Sequence, residues 1–194
     1  MTHEIHHTLN PEQSSRFSDV VDQANSMLKS SGEMRLHTFL NRGRRAYVDA
    51  MTELAVSGSN DRALFVADAA KKMLLHEGLD VLRTKIERPA EHASAVANGE
   101  YYETHLKLTG VDPSADYKFG VGVKKLLLST SLPRLGVHGT VRSFDATYAE
   151  HLARVHRICA GLLANRIGVL SMRHEHVWHD DNIAHDDRWK WWEG

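Results

Sequence analysis

The sequence predicts an α+β protein made of a tandem duplication of a ferredoxin-like βαββαβ unit, with antiparallel sheets that carry helices on one face. Three observations predict it. Segments of two-residue alternation and segments of helical spacing follow one another in the order β-α-β-β-α-β, and then do so again. The run Glu4-Ile5-His6-His7-Thr8-Leu9 parallels Glu103-Thr104-His105-Leu106-Lys107-Leu108. Val81-Leu82 with Lys85-Ile86-Glu87 parallels Val169-Leu170 with Arg173-His174-Glu175, so the first and last strands of both halves match.

In the first half, His3 to Leu9 alternates as a strand. Asn10 caps a helix whose first position is Pro11, where the missing N–H costs no bond. Phe17, Val20, Val21, Ala24, Met27 and Leu28 are its apolar stripe, and Ser30-Ser31-Gly32 ends it. Residues 34–40 and 46–54 alternate as two strands around Asn41-Arg42-Gly43. Ala63, Val66, Ala67, Ala70 and Leu74 mark a second helix that stops at Gly78, and Val81 to Glu87 is the fourth strand.

Residues 89–99 lack periodicity and form the expected linker between repeats 1–88 and 100–178. In the second repeat Tyr101 to Leu108 is a strand, and residues 110–125 leave room for a short helix at most. Leu126 to Leu132 and Val137 to Phe144 are strands, and Tyr148, Leu152, Val155, Cys159 and Leu162 mark a helix. Val169 to Trp178 closes the unit, and residues 179–194 are a Trp-rich tail expected to dock on the protein or on a second copy. The doubled His-Asp-Asp of the tail is expected to be a solvated acidic turn.

The 24 basic and 25 acidic residues give a net charge of −1, so no global field recruits nucleic acid or an anionic membrane. The single cysteine, Cys159, excludes an internal disulfide and is expected in the core. No apolar run reaches the ~20 residues of a membrane span. Together with an N-terminus that shows no signal pattern, this points to the cytoplasm.

Strand parity locates the chemistry. If Ile5, Leu9, Leu82, Ile86, Tyr102, Leu106, Leu108, Leu170 and Met172 pack under the helices, the opposite faces carry Glu4, His6, Thr8, Arg83, Lys85, Glu87, Glu103, His105, Lys107, Arg173 and Glu175. The inner strand of the second half adds His138, Thr140 and Arg142. With 14 histidines in the chain, the predicted site is a cleft between the repeats where His6, His105, His138, Glu87 and Glu175 move protons. Glu4, Thr8, Arg83, Lys85, Glu103, Lys107, Thr140, Arg142 and Arg173 would bind substrate there. The expected ligand is small and anionic or phosphorylated, and the expected activity is that of a phosphate-ester or nucleotide-directed hydrolase of phosphodiesterase-like kind. Nucleic acid and membrane are not expected partners. Self-association through the Trp-rich tail is the expected route to any homo-oligomer.

His6-His7-Thr8 and His138-Gly139-Thr140 resemble the paired His-x-Thr motif of the 2H phosphoesterases. That resemblance implies two histidines acting as acid and base and two hydroxyls on phosphate. Strands that alternate Glu with Lys or Arg also resemble those of triphosphate-tunnel enzymes. The alternative is a divalent-metal enzyme. His6, Glu87, His105 and Glu175, from the first and last strand of each half, resemble the ligand order of the vicinal-oxygen-chelate enzymes. A non-catalytic scaffold that binds a ligand or protein is the third reading. No cofactor is expected, nor a stoichiometric transition metal held through His6 and His105 at neutral pH.

Overall fold

The computed structural model describes residues 1–27, 33–41, 47–90, 97–111, 126–132, 136–144 and 146–185. It is a mixed α+β protein with an antiparallel sheet. The first half contributes β1 (Thr2–Leu9), α1 (Phe17–Met27), β2 (Met34–Asn41), β3 (Tyr47–Ser57), α2 (Asn60–His76) and β4 (Val81–Pro89). The second contributes β5 (Tyr101–Thr109), β6 (Leu126–Leu132), β7 (Gly136–Phe144), α3 (Tyr148–Ala164) and β8 (Gly168–Asp180).

Helix boundaries follow local chemistry. Asn10 accepts from Glu12 N and Pro11 opens a 3-10 turn that leads into α1. Ser59 caps α2, and Gly78 ends it at φ +75°. Thr147 and Glu150 form a reciprocal capping box on α3.

The expected pair of sheets is instead one closed barrel in the order β1-β3-β2-β6-β7-β5-β8-β4. Within it the first half has the order β4-β1-β3-β2 and the second β8-β5-β7-β6, the same pattern in both. Antiparallel pairing of β2 with β6 and of β4 with β8 joins the halves. Closure leaves no edge strand to cover.

Two apolar cores lie outside the barrel, under the helices. Ile5, Leu9, Leu54 and Ile86 pack with Phe17, Val20, Ala67 and Leu74 of α1 and α2. Leu106, Leu108 and Val141 pack with Val155, Ile158 and Leu162 of α3. Strand parity then turns the helix-free faces inward, so the polar residues line the interior.

Two apolar expectations fail on β8. Leu170 and Met172 are 62% and 46% exposed rather than packed. A register shift opposite Lys107 and Leu108 pairs Leu108 with Val169, so Val169 takes the core position and Leu170 is extruded. Met172 lies opposite Leu106 and meets the half-buried Cys159, with Sγ 3.9 Å from Sδ. Cys159 therefore borders the core rather than filling it, and partial burial raises its thiol pKa.

The first His-Asp-Asp is no solvated turn. Asp180 is buried at the end of β8, where Arg83 and the Tyr101 hydroxyl both donate to it, Tyr101 Oη at 2.8 Å. Asp181 accepts from Thr84 N at 2.6 Å and from Lys71 Nζ at 2.9 Å. These bonds tie the C-terminal end of β8 to β4 and α2. Asp180→Ala leaves the Arg83 guanidinium buried without its main counter-charge, and should cost about 3–5 kcal/mol in urea unfolding. Trp178 packs on the first core and donates to His3 Nδ1 at 3.3 Å. The other three tryptophans of the tail, and most of segment 110–125, lie outside the described residues. Among the described residues no helix is long and apolar enough to cross a membrane.

Candidate active site in the barrel interior

Register brings the predicted residues together. On β1 and β4, His6 stands opposite Lys85 and Glu4 opposite Glu87. On β5 and β8, His105 stands opposite Arg173 and Glu103 opposite Glu175. The two halves thus present His against a cation and Glu against Glu in the same register. Paired positions across antiparallel strands put side chains within ~5 Å on one face.

Glu103 is the hub. It is fully buried and meets Lys85 Nζ at 2.9 Å, His105 Nε2 at 2.9 Å and the Arg142 guanidinium. Lys85 also contacts Glu87, whose Oε2 accepts from His6 Nε2 at 3.1 Å. His105 Nε2 lies 3.1 Å from Glu175, and Arg173 bridges Glu175, with Nε at 2.8 Å, to Glu4. With Glu4 3.8 Å from His6 the contacts form a closed ring.

Burial sets the protonation states. Burial alone would raise the Glu103 and Glu87 carboxyls; Arg142, Lys85 and His105 outweigh it at Glu103, and Lys85 and His6 at Glu87, so both stay well below the usual carboxylate range. Burial also opposes the Lys85 charge, but Glu103 and Glu87 raise its pKa above the ordinary lysine value. His105 loses hydration too, yet Glu103 and Glu175 hold it protonated, up to about 10. Glu175 is raised to about 7 by burial and by the Glu87 charge, only partly offset by His105. His138 is lowered by burial and by the nearby His105 and Lys107.

The ring meets solvent at one side. The His105 side chain is 37% exposed, that of Arg173 55%, and Lys107 is exposed, whereas Glu87, Glu103 and Glu175 are buried. The interior therefore has a cationic mouth over an acidic floor. His138 pairs with Lys107, and Thr140 meets His105 Nδ1 at 3.2 Å. Thr8 is buried opposite Arg83, and Arg83 is committed to Asp180 and Tyr101. Lys85 is enclosed by Glu87 and Glu103 and does not join Lys107 at the mouth.

Two groups have metal-ligand spacing. Ligand atoms of Glu87, Glu103, His105 and Glu175 lie within 4.8 Å of one another, as do those of Glu4, His6 and Glu87. The sequence-based set differs, because Glu103 takes the place given to His6. Lys85, Arg142, Arg173 and protonated His105 already neutralise these carboxylates, so a divalent cation would have to displace them.

Sequence reasoning missed four interior groups. Glu53 stands opposite His6 and meets His37 Nε2 at 3.3 Å. Tyr101 and Asp180 hold Arg83. Parity was the available signal for Glu53 and Tyr101, since each alternates with apolar residues that face a helix.

No protein-family model matches the sequence, and no curated protein matches it. Among solved structures, a dye-decolorizing protein from V. cholerae is similar with a TM-score of 0.31 at 8% identity, over 90% of this chain and 93% of that one. A monooxygenase-like protein from Lactobacillus acidophilus NCFM has a TM-score of 0.30 at 9% identity, over 91% of each chain. A mutant chlorite dismutase from Candidatus Nitrospira defluvii has a TM-score of 0.30 at 12% identity, over 91% and 90%. At such scores the likeness carries no inference about chemistry.

Proposed function

We propose that the protein is an acid–base hydrolase of small phosphate esters, phosphodiesters in particular, working inside the barrel. One observation supports this most: β1 and β7 stand four positions apart in the eight-strand ring, so His6-x-Thr8 and His138-x-Thr140 lie on opposite walls. In each triplet the first and third residues share the inward face. The wall between them carries His105, Lys107 and Arg173.

The two histidines have opposite surroundings. His138 has cations beside it, which disfavour its charged form. His6 has Glu87 on Nε2, and its buried Nδ1 makes no hydrogen bond. A phosphodiester at the mouth would place its charged oxygens on Arg173, Lys107 and His105. His138 then takes a proton from the attacking water as the new P–O bond forms. His6 Nδ1 donates a proton to the leaving oxygen as the ester P–O bond breaks. Proton exchange with solvent restores both.

The test is turnover of a panel of linear and cyclic phosphodiesters by the parent, His6→Gln and His138→Gln proteins. Each substitution should lower kcat by ~10²–10⁴-fold while the circular dichroism spectrum is retained. A parent without turnover, or variants with undiminished rate, would refute the proposal.

A further inference from the structure

Behind the Glu103–Arg142 pair, on the outer face of the same two strands, lies a buried polar chain. His151 of α3 places Nε2 2.6 Å from Thr104 Oγ1 and Nδ1 2.8 Å from Ser143 Oγ. Arg154, one turn on, donates Nη1 to the Arg142 carbonyl at 3.2 Å and to Ser143 Oγ at 2.8 Å. Thr104 Oγ1 also meets His174 Nδ1 at 2.8 Å. Thr104, Ser143 and His151 are fully buried.

The location gives this chain its meaning. Thr104 follows Glu103 on β5, and Ser143 follows Arg142 on β7, with their side chains on opposite faces. α3 therefore grips the backs of the two residues whose inward side chains form the ion pair at the hub. Elsewhere α3 packs through apolar Val155, Ile158 and Leu162 and through the Tyr148 ring against Tyr102 and His174. Apolar packing is non-directional, so it holds the helix down without setting the position of one strand residue. Hydrogen bonds from a fixed helix do set it, and a shift of ~1 Å at a site can cost 10²-fold in rate.

We infer that His151 and Arg154 are positioning residues for the interior site: they hold Thr104, Ser143 and the Arg142 carbonyl, and so fix Glu103 against Arg142 and His105. The activity arm of its test rests on the phosphodiesterase reading; the positioning itself does not.

The experiment compares Arg154→Met, Arg154→Lys and His151→Asn with the parent, all checked for folding. Two quantities are measured: the titration of the His105 ring by NMR, assigned with His105→Gln, and kcat and KM for a phosphodiester. Arg154→Met and His151→Asn should each shift the His105 titration to lower pH and lower kcat at least tenfold, with KM changed less than twofold. Arg154→Lys, which can still donate to Ser143, should restore both to near parent values. If the parent shows no turnover, the proposed function fails and the ring titration alone decides the positioning role. A His105 titration that stays put in folded Arg154→Met and His151→Asn overturns the inference. Should Arg154→Met not fold, the same comparison between His151→Asn and the parent decides it.

Discussion

Glu103→Gln is expected to destabilise the protein by about 3–5 kcal/mol, the range for removing one partner from a buried ion pair. The amide keeps the volume but removes the charge that three cations share: Lys85, Arg142 and His105. Lys85 would keep only Glu87. The effect depends on pH with a definite sign. Glu103 is held below its ordinary value, so its contribution is present above the unfolded carboxyl pKa and fades as pH falls through the folded value. Urea unfolding at pH 7 and pH 3 should show the variant and parent converging at the lower pH. A surface control, Lys72→Gln, removes an exposed helix pair with Asp68 and should change stability by about 0.5 kcal/mol or less. A loss below about 1 kcal/mol in Glu103→Gln would mean that the hub contributes little to folding.

The second large effect is acid sensitivity, and it comes from outside the barrel. His7 and His151 are fully buried, and both are lowered from 6.5 to about 4, first by burial and then by neighbouring positive groups. His6 and Lys71 act on His7; His174 and Arg154 act on His151. Asp181 and Glu103, respectively, pull the other way. A base with a lowered folded pKa binds fewer protons folded than unfolded, so stability falls as pH drops through 6.5 toward 4. Each such histidine then costs about 3 kcal/mol once pH reaches its folded value. Two of them approach the whole stability of an ordinary domain, about 5–15 kcal/mol. His3 and His176 are lowered as well, mainly by burial, and act in the same sense. Glu175, raised to about 7, is protonated more in the folded than in the unfolded chain over the same range and offsets about one of the two histidines, so the unfolding free energy should show a net decline between pH 6.5 and pH 4. His151→Gln should flatten the decline even if it weakens the protein at pH 7. A stability that stays level over that range would contradict burial of these rings in neutral form.

The parts of the fold that parity governs were legible in the sequence. In β1, β4 and β5 the carboxylates fall on one face only, so Ile5, Ile86 and Leu106 identify the helix side and Glu4, Glu87 and Glu103 the other, although His7, Thr84 and Thr104 also lie on the helix side. The capping residues Asn10, Ser59 and Thr147 are equally local signals. Barrel closure is different, because β2–β6 and β4–β8 pair strands that are distant in sequence and no turn residue specifies them. Without closure, the helix-free faces look like two solvated sheet surfaces. The β8 register shift was also hidden, since Leu170 and Val169 are interchangeable apolar residues until a bulge chooses between them. Asp180 looked like a surface acid because its partners, Arg83 and Tyr101, lie 97 and 79 residues away. His151 fell on a helix stripe otherwise apolar, and its polar partners come from β5 and β7.

The cationic mouth is what separates an enzyme site from a sealed ion network, and anion binding tests it most directly. Inorganic phosphate should bind one site per chain by calorimetry and raise the melting temperature. At ~100-fold above the dissociation constant the stabilisation is about 2.7 kcal/mol. In a chain of this size that corresponds to several degrees. Added salt should weaken binding, because the contacts are partly exposed and Coulombic. Lys107→Gln/Arg173→Gln removes two exposed cations and should remain folded while losing at least tenfold in affinity. No heat and no melting shift with the parent at millimolar phosphate, or equal binding by the double variant, would show that the barrel interior is a structural ion network and not a site.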